Sequence, residues 1–131
     1  MLINKCAVVL STVVVIVGWS PQSQAGCSPP QLAGKWEAAL SDGSSCLIKL
    51  KANGTVDASA SVCFDPSRGS ANLDSGQLKV SGKCFAEGEI VVQGVSIELP
   101  VQFSHDRSMA AGRFLVSADG SKGSVVMVRT P

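Results

Sequence analysis

Apolar and polar residues alternate over most of the chain beyond residue 33, which is the pattern of strands that bury one face. The alternation is strictest from Val95 to Ser104, where Val, Ile, Leu, Val and Phe are separated by Ser, Glu, Pro, Gln and Ser. Turn-forming residues recur about every 8 to 12 positions, and no long segment shows helical periodicity. The predicted strands are Gly34–Leu40, Cys46–Lys51, Thr55–Val62, Gln77–Cys84, Glu89–Gln93, Val95–Ser104, Met109–Val116 and Ser124–Arg129. The sequence therefore predicts an all-β domain over residues 34–131, a small antiparallel barrel or sandwich of about eight strands.

The loop after the second strand can be predicted from the register that it imposes. A two-residue loop, Asn53-Gly54, would place Leu50 opposite Asp57, so that an apolar residue would meet the polar face of the next strand. A three-residue loop, Ala52–Gly54, places Leu50 opposite Val56 and puts the glycine in the left-handed position of a bulged turn. We therefore predict the three-residue loop.

Three further local features follow from residue type. The polar stretch Asp65–Gly76 is predicted to be a loop, and Ala86–Gly88 is predicted to be a hairpin turn. Pro100 interrupts the strictest strand and has no backbone N–H, so we expect it at a sheet edge or a bulge.

Residues 1–25 have the organisation of a secretory signal peptide. Lys5 supplies a positive charge, Cys6–Trp19 is mostly apolar, and Ser23-Gln24-Ala25 places small residues at the −3 and −1 positions of a cleavage site before Gly26. The apolar segment is shorter than the roughly 20 residues of a membrane-spanning helix. The sequence predicts an exported bacterial protein, periplasmic or secreted, with no transmembrane anchor after cleavage.

Cleavage changes the number of cysteines from odd to even. The four that remain are Cys27, Cys46, Cys63 and Cys84. An even number favours two disulfides in an oxidising compartment. Four cysteines allow three pairings, of which Cys46 with Cys63 is local in sequence and leaves Cys27 for Cys84. The alternative is an outer-membrane lipoprotein anchored through Cys27, because Ala25-Gly26-Cys27 resembles the end of a lipobox, although Gln24 stands where that motif has Leu, Val or Ile.

Charge and composition exclude several classes of partner. Lys5 leaves with the signal peptide, so eleven Lys and Arg become ten, equal to the ten Asp and Glu. A net charge of zero implies no charge-steered partner. With 5% aromatic residues and no Tyr, the chain lacks the basic stripe and stacking aromatics of a nucleic-acid binder.

Few residues could carry chemistry. His105, the single histidine, lies beside Asp106 in a predicted turn, where adjacent side chains point apart, so a solvated turn is favoured over a catalytic pair. Glu87 and Glu89 could form a carboxylate pair, but a solvated hairpin tip is favoured. No Cys or His cluster has metal-ligand spacing, and Ser81-Gly82-Lys83 lacks the glycine-rich loop and helix of a phosphate site. The sequence therefore predicts a non-enzymatic protein with no catalytic, cofactor or metal residues.

The unit Gly34-Lys35-Trp36 resembles the Gly-x-Trp signature of lipocalins and the wider calycins. The resemblance implies a barrel in which Trp36 closes one end and an Arg from a late strand packs on it, for which Arg113 and Arg129 are candidates. It also implies a small apolar ligand in an enclosed cavity of a few hundred Å³. The alternative is a tryptophan that is simply part of the core.

A narrower resemblance, confined to the N-terminal half, is to bacterial periplasmic metalloprotease inhibitors of the Inh type, which are small secreted eight-stranded barrels. It rests on Leu32-Ala33-Gly34-Lys35-Trp36, Cys46-Leu47-Ile48-Lys49-Leu50 and Cys63. The resemblance implies a disulfide between Cys46 and Cys63. It also implies an N-terminal tail that enters the protease cleft. Here the tail would be residues 26–33, a disulfide at Cys27 would tether it, and its candidate contact residues are Gly26, Ser28, Pro29 and Pro30.

These features together predict a monomeric, non-enzymatic binding protein, most specifically an Inh-like inhibitor of a secreted metalloprotease. The alternatives are a calycin-like binder of a small apolar ligand and an envelope-associated structural module. An inhibitor requires an ordered or projecting N-terminal segment, a ligand binder requires a cavity, and a structural module is expected to have a solid core and a flat polar surface.

Overall fold

The computed structural model describes residues 27–131, so the predicted signal peptide, Met1–Ala25, and Gly26 lie outside the described part. This part contains a single-turn α-helix, a 3₁₀ helix and eight strands. They are α1 (Pro29–Leu32), the 3₁₀ helix (Ala58–Ala60), β1 (Gly34–Leu40), β2 (Ser45–Leu50), β3 (Val62–Asp65), β4 (Gly69–Val80), β5 (Phe85–Val92), β6 (Val95–Phe103), β7 (Met109–Val116) and β8 (Lys122–Arg129). In residues 27–131, no helix is long and apolar enough to cross a membrane.

The eight strands form a closed antiparallel barrel, which confirms the all-β prediction and selects the barrel over the sandwich. Each strand pairs with its neighbour in the chain, and β8 pairs back onto β1, with Arg129 opposite Trp36. Closure leaves no free strand edge in the described barrel. Pro100 therefore does not lie at an edge, and the pairs between β6 and β7 instead skip from Glu98–Leu115 to Val101–Gly112.

Strand alternation divides the side chains between the barrel interior and the outer surface. Leu99, Val101 and Phe103 of β6 are buried, as the alternating pattern predicts. The core is mainly aliphatic, and its largest member, Trp36, packs edge-to-face on Phe103 with ring centroids 5.1 Å apart. This arrangement leaves the outward residues to define the surface.

The barrel has two different ends because the strands run up and down in turn. The closed end carries α1, the β2–β3 connection, the β4–β5 and β6–β7 turns, and the last residues of the chain. The open end carries the β1–β2, β3–β4, β5–β6 and β7–β8 loops.

The β2–β3 connection begins as predicted. Leu50 pairs with Val56, the Lys51 N–H donates to the Thr55 carbonyl at 2.8 Å, and Gly54 has a φ of +87°. The three-residue loop is therefore confirmed, and glycine is needed there because other residues rarely adopt this φ.

The predicted strand Thr55–Val62 is wrong beyond Asp57, where the chain turns into the 3₁₀ helix. The Asp57 carbonyl accepts a hydrogen bond from the Ser61 hydroxyl at 2.8 Å, and the buried Ser61 hydroxyl accepts one from the Lys49 N–H at 2.9 Å. Alternating Ala and Ser differ little in polarity, so local side-chain hydrogen bonds decide the conformation instead.

Two other local predictions are also wrong. Most of the predicted loop Asp65–Gly76 belongs to β4, a 12-residue strand in which only Leu73 and Leu78 are buried. The β4–β5 turn occupies residues 81–84, whereas the predicted turn Ala86–Gly88 lies within β5. A Cβ on Gly88 would lie 2.4 Å from the Leu78 side chain. This glycine therefore marks close packing inside the barrel and not a turn.

Candidate binding sites

Trp36 is at the centre of the closed end. Its side chain is completely buried, and its indole N–H donates to the Leu32 carbonyl at 2.9 Å. The guanidinium carbon of Arg129, on β8, lies 4.6 Å from the centroid of the indole ring. Of the two candidate arginines, the structure places Arg129 on the tryptophan in cation–π geometry, whereas Arg113 is exposed on β7.

Arg129 joins three separate segments of the closed end. Its Nε donates to the Arg107 carbonyl at 2.9 Å, its Nη1 to Ala33 at 2.7 Å and its Nη2 to Gln31 at 2.7 Å. A Cβ on Gly34 would lie 3.2 Å from Nη1, and Gly34 has a φ of +129°. The glycine of the Gly-x-Trp unit therefore allows both the backbone turn and the approach of the guanidinium.

The N-terminal segment 27–33 is folded onto the closed end. Cys27 is disulfide-bonded to Cys84 in the β4–β5 turn, and Leu32 is 1% exposed beneath the barrel. Ser28 and Pro30 are exposed, Pro29 is half-buried, and Gly26 lies outside the described residues. The sulfur of Cys27 is therefore part of a disulfide, whereas a lipoprotein would need this sulfur to carry the lipid.

The second disulfide joins Cys46 and Cys63, which are directly opposite each other on β2 and β3. The two disulfides, Cys46–Cys63 and Cys27–Cys84, are the pairing in which Cys46 bonds the cysteine nearest to it in sequence. Two disulfides are typical of a protein that folds in an oxidising, extracytoplasmic compartment.

The open end encloses a cavity of about 280 Å³. Its apolar lining includes Leu40, Val92, Ile97, Phe114, Val116 and the Cys46–Cys63 disulfide. Asp42, Asp65, Asp119 and Arg68 lie around its mouth. The volume is close to the lower limit of roughly 300 Å³ for ligand pockets, so the cavity could hold only a small ligand.

Each of the three aspartates at the mouth begins a turn of the same kind. Each carboxylate accepts hydrogen bonds from the backbone N–H and the hydroxyl of the serine two residues later. These serine bonds lower the pKa of Asp65 and Asp119, and the positive charge of Arg68 adds to the effect. Asp65 and Asp119 therefore remain negatively charged at neutral pH.

The outer surface carries a groove of about 440 Å³ with a mixed polar and apolar lining, which lies over β1 and β2. Its floor consists of Glu37, Ala39, Ser45 and Leu47, and its walls consist of Val62 and Phe64 on β3 and of Val126 and Val128 on β8. We call this set the exterior groove. Phe64 is 47% exposed, Val126 44% and Val128 45%. Exposed apolar surface of this kind marks interaction sites on soluble proteins.

The sequence analysis did not identify the exterior groove. The available signal was the failure of alternation in Val125–Val128, where four consecutive residues are apolar. Such a run indicates a strand with two apolar faces.

The remaining candidate residues do not converge. His105 is exposed in the β6–β7 turn, and the neighbouring Asp106 carboxylate accepts hydrogen bonds from Ser104 and Ser108. The bonds from Ser108 and then Ser104 lower the pKa of Asp106 to about 2.

Glu87 and Glu89 are exposed within β5 and not at a hairpin tip, and Glu89 accepts a hydrogen bond from Ser96. Within residues 27–131, no three His, Cys, Asp or Glu side chains are grouped to hold a metal ion.

No protein-family model matches the chain, and no curated protein matches it. Its function is therefore argued from the geometry of these sites.

Proposed function

We propose that this chain is an exported, non-enzymatic protein that binds another protein as a monomer. The observation that carries the proposal is the exterior groove, in which Phe64 and Val126 stand exposed on either side of the smaller Ala39 and Ser45. The most specific form of the proposal is an Inh-like inhibitor of a secreted metalloprotease, active in the periplasm or outside the cell. The Cys46–Cys63 disulfide and the Gly-x-Trp barrel end support this form.

The tethered N-terminal segment limits how such an inhibitor would contact its protease. Because Cys27 is bonded to Cys84 and Leu32 is buried, the segment cannot extend far from the closed end. Ser28, Pro30 and Gln31 are exposed there, and Pro29 is half-buried. An inhibitor of this shape would therefore present a rigid surface, and the exterior groove would supply most of the contact.

Inhibition assays test the proposal directly. The disulfide-bonded protein is titrated against a panel of secreted zinc metalloproteases, and we expect sub-micromolar inhibition of at least one. The double variant Phe64→Gln/Val126→Gln should weaken that inhibition at least about tenfold, because exposed anchors in a docking groove carry most of the binding energy. Leu115→Gln is the matched control, because Leu115 is 38% exposed but lies outside the groove. Absence of inhibition across the panel would reject the inhibitor form, and equal inhibition by all variants would reject the groove as the contact surface.

A small apolar ligand in the open-end cavity is the second candidate, favoured by the apolar lining of that cavity. Native mass spectrometry of the protein from its own host would detect a co-purified ligand. Ala71, which is part of the cavity lining opposite Cys63, offers a filling variant, Ala71→Phe. Loss of the bound mass in this variant would support the cavity, and a bare protein mass in the unchanged chain would count against it.

An envelope-associated structural module is less well supported. Such a module is expected to have a flat polar surface, whereas Phe64, Val126 and Val128 stand exposed beside the groove floor.

A further inference from the structure

We infer that the exterior groove receives an amphipathic helix of a partner protein, and that this helix carries a Lys or Arg within its apolar stripe. The inference rests on the proposed protein-binding function and specifies the chemistry of the partner. The width of the groove, the closure of the barrel and the position of Glu37 support it.

The width of the groove suits a helix. Its walls are on β8 and β3, which are separated by β1 and β2. Three strand spacings of about 4.8 Å place the walls roughly 14 Å apart, and a helix with its side chains is about 10–12 Å across. Ala39 and Ser45 pair with each other on the floor. Their small side chains leave room between the walls for the side chains of a docked helix.

Barrel closure excludes the other common way of binding a peptide to a sheet. An extended peptide adds to a sheet by pairing with a free strand edge. Within the described barrel each strand pairs with a neighbour on both sides. Recognition at this surface must therefore use side chains, as in helix-in-groove binding.

Glu37 determines the charge of the partner. It is exposed on the groove floor, and its cross-strand neighbours, Leu47 and Val128, are both apolar. Lys35 and Lys49 pair with each other one row closer to the closed end, beyond the lining of the groove. A docked apolar surface would remove Glu37 from water, which is costly unless a positive charge lies opposite. A basic residue within the apolar stripe satisfies this requirement.

Glu37 also argues against a second copy of this chain as the occupant. A twofold contact centred on the groove would bring two Glu37 carboxylates together in a desolvated interface, where like charges repel strongly. Within residues 27–131 the α-helix is the single turn Pro29–Leu32, which is already packed on the closed end. A second copy of this part of the chain therefore offers no free helix, and its basic residues on this face, Lys35 and Lys49, lie outside the lining of the groove.

A charge-reversal experiment tests the inference. The probes are three lactam-bridged amphipathic helices of about four turns with identical Leu stripes, which differ only in a central Lys, Gln or Glu. Binding to the disulfide-bonded, ¹⁵N-labelled protein is followed by amide chemical shifts. We expect the Lys helix to bind at least about tenfold more tightly than the Gln helix, the Glu helix to bind most weakly, and the shifts to fall on β8, β1, β2 and β3.

Variants at Glu37 then test whether this carboxylate causes the preference. Glu37→Gln should remove the preference for Lys, and Glu37→Lys should reverse it in favour of the Glu helix. Glu98→Lys is the matched control, because Glu98 is an exposed strand residue on β6, outside the groove, and the preference should survive it. Tryptophan fluorescence checks that each variant is folded.

Several outcomes would overturn the inference. They are equal binding of the three helices, shifts confined to other surfaces, and an unchanged preference in Glu37→Lys. A concentration-dependent dimer that Phe64→Gln abolishes would assign the groove to self-association. Binding to phosphatidylglycerol vesicles that Phe64→Gln abolishes would assign it to a membrane. If no protease in the panel is inhibited but the Lys helix still binds most tightly, only the inhibitor form of the proposed function is rejected. If a protease is inhibited equally well by Glu37→Lys, only the inference about the charge of the partner is rejected.

Discussion

Replacing Arg129 with Lys tests whether the guanidinium holds the closed end together. The substitution keeps the positive charge but replaces three donors fixed in one plane by a single ammonium group. The guanidinium donates hydrogen bonds to the carbonyls of Gln31, Ala33 and Arg107. The ammonium group of the shorter lysine side chain can donate a well-aligned hydrogen bond to one of them. Arg129→Lys therefore removes two hydrogen bonds from a charged donor and part of the contact with Trp36.

The expected loss follows from typical magnitudes. A hydrogen bond to a charged group contributes about 1.5–3 kcal/mol, and we take the lower end because Arg129 is only half-buried. The cation–π contact contributes about 0.5–1 kcal/mol at an exposed position. We expect Arg129→Lys to lower the free energy of unfolding by about 2–4 kcal/mol, which corresponds to a decrease in Tm of roughly 10–20 °C for a domain of this size.

Urea unfolding followed by the fluorescence of Trp36 measures this loss. Trp36 is the only tryptophan in residues 27–131, so a protein that consists of these residues reports the closed end directly. The slope of the unfolding free energy against urea should not change, because the amount of surface exposed on unfolding is the same. A changed slope would indicate an altered native or denatured state and would make the comparison invalid.

Arg113→Lys is the matched control, since Arg113 is an exposed arginine on the neighbouring strand β7. It should change stability by less than about 0.5 kcal/mol. If Arg129→Lys is as mild as Arg113→Lys, the three carbonyl bonds do not stabilise the closed end, and the structural role given to Arg129 is refuted.

Three other changes have defined outcomes. Replacing both Cys27 and Cys84 with Ser opens a link between residues 57 positions apart and should lower the free energy of unfolding by about 4 kcal/mol in the chain-entropy model, measured by urea unfolding against the unchanged protein. The pKa of Asp106 is lowered to about 2, so this carboxylate contributes stability that is present above the ordinary carboxyl pKa and is lost as the pH falls through about 2. Asp106→Asn should therefore flatten the decline in urea midpoint between about pH 4 and pH 2. An unchanged decline would contradict this. Gly112→Ala would place a Cβ 2.0 Å from the Pro100 carbonyl oxygen and should lower the free energy of unfolding by at least about 1–3 kcal/mol. Gly82→Ala is the control, because no atom lies within 4 Å of its Cβ, and it should change that free energy by less than about 0.5 kcal/mol. Similar thermal midpoints for the two variants would show that β6 and β7 can separate at this point.

Strands with strong polarity contrast were predictable, and strands with weak contrast were not. From Val95 to Phe103 large apolar residues alternate with polar ones, so only one register buries the apolar face. Residues 69–76 of β4 contain Ser, Ala, Asn, Asp and Gly around a single buried residue, Leu73. They form a strand because β3 and β5 supply pairing partners on either side. Composition alone does not contain that tertiary information.

The closed end was predictable in outline but not in detail. The resemblance of the Gly-x-Trp unit to the calycin signature implied that an arginine would pack on Trp36, and two arginines were available in late strands. Register decides between them, since Arg129 lies directly opposite Trp36 in the β8–β1 ladder, whereas Arg113 lies opposite Ser124 and its side chain is on the outer surface. Choosing the arginine required knowing that the last strand closes the barrel onto the first.

The exterior groove combines both kinds of information. Apolar runs such as Val125–Val128 show that alternation fails, so some outward residues must be apolar. Only barrel closure shows that these outward residues share one surface, because Val126 and Val128 belong to the last strand and Val62 and Phe64 to the third. The same closure removes the free edges through which a sheet could bind a peptide backbone. A barrel that binds a protein by this surface must therefore discriminate through side chains, and Glu37 is the one ionisable group among the residues that line the groove.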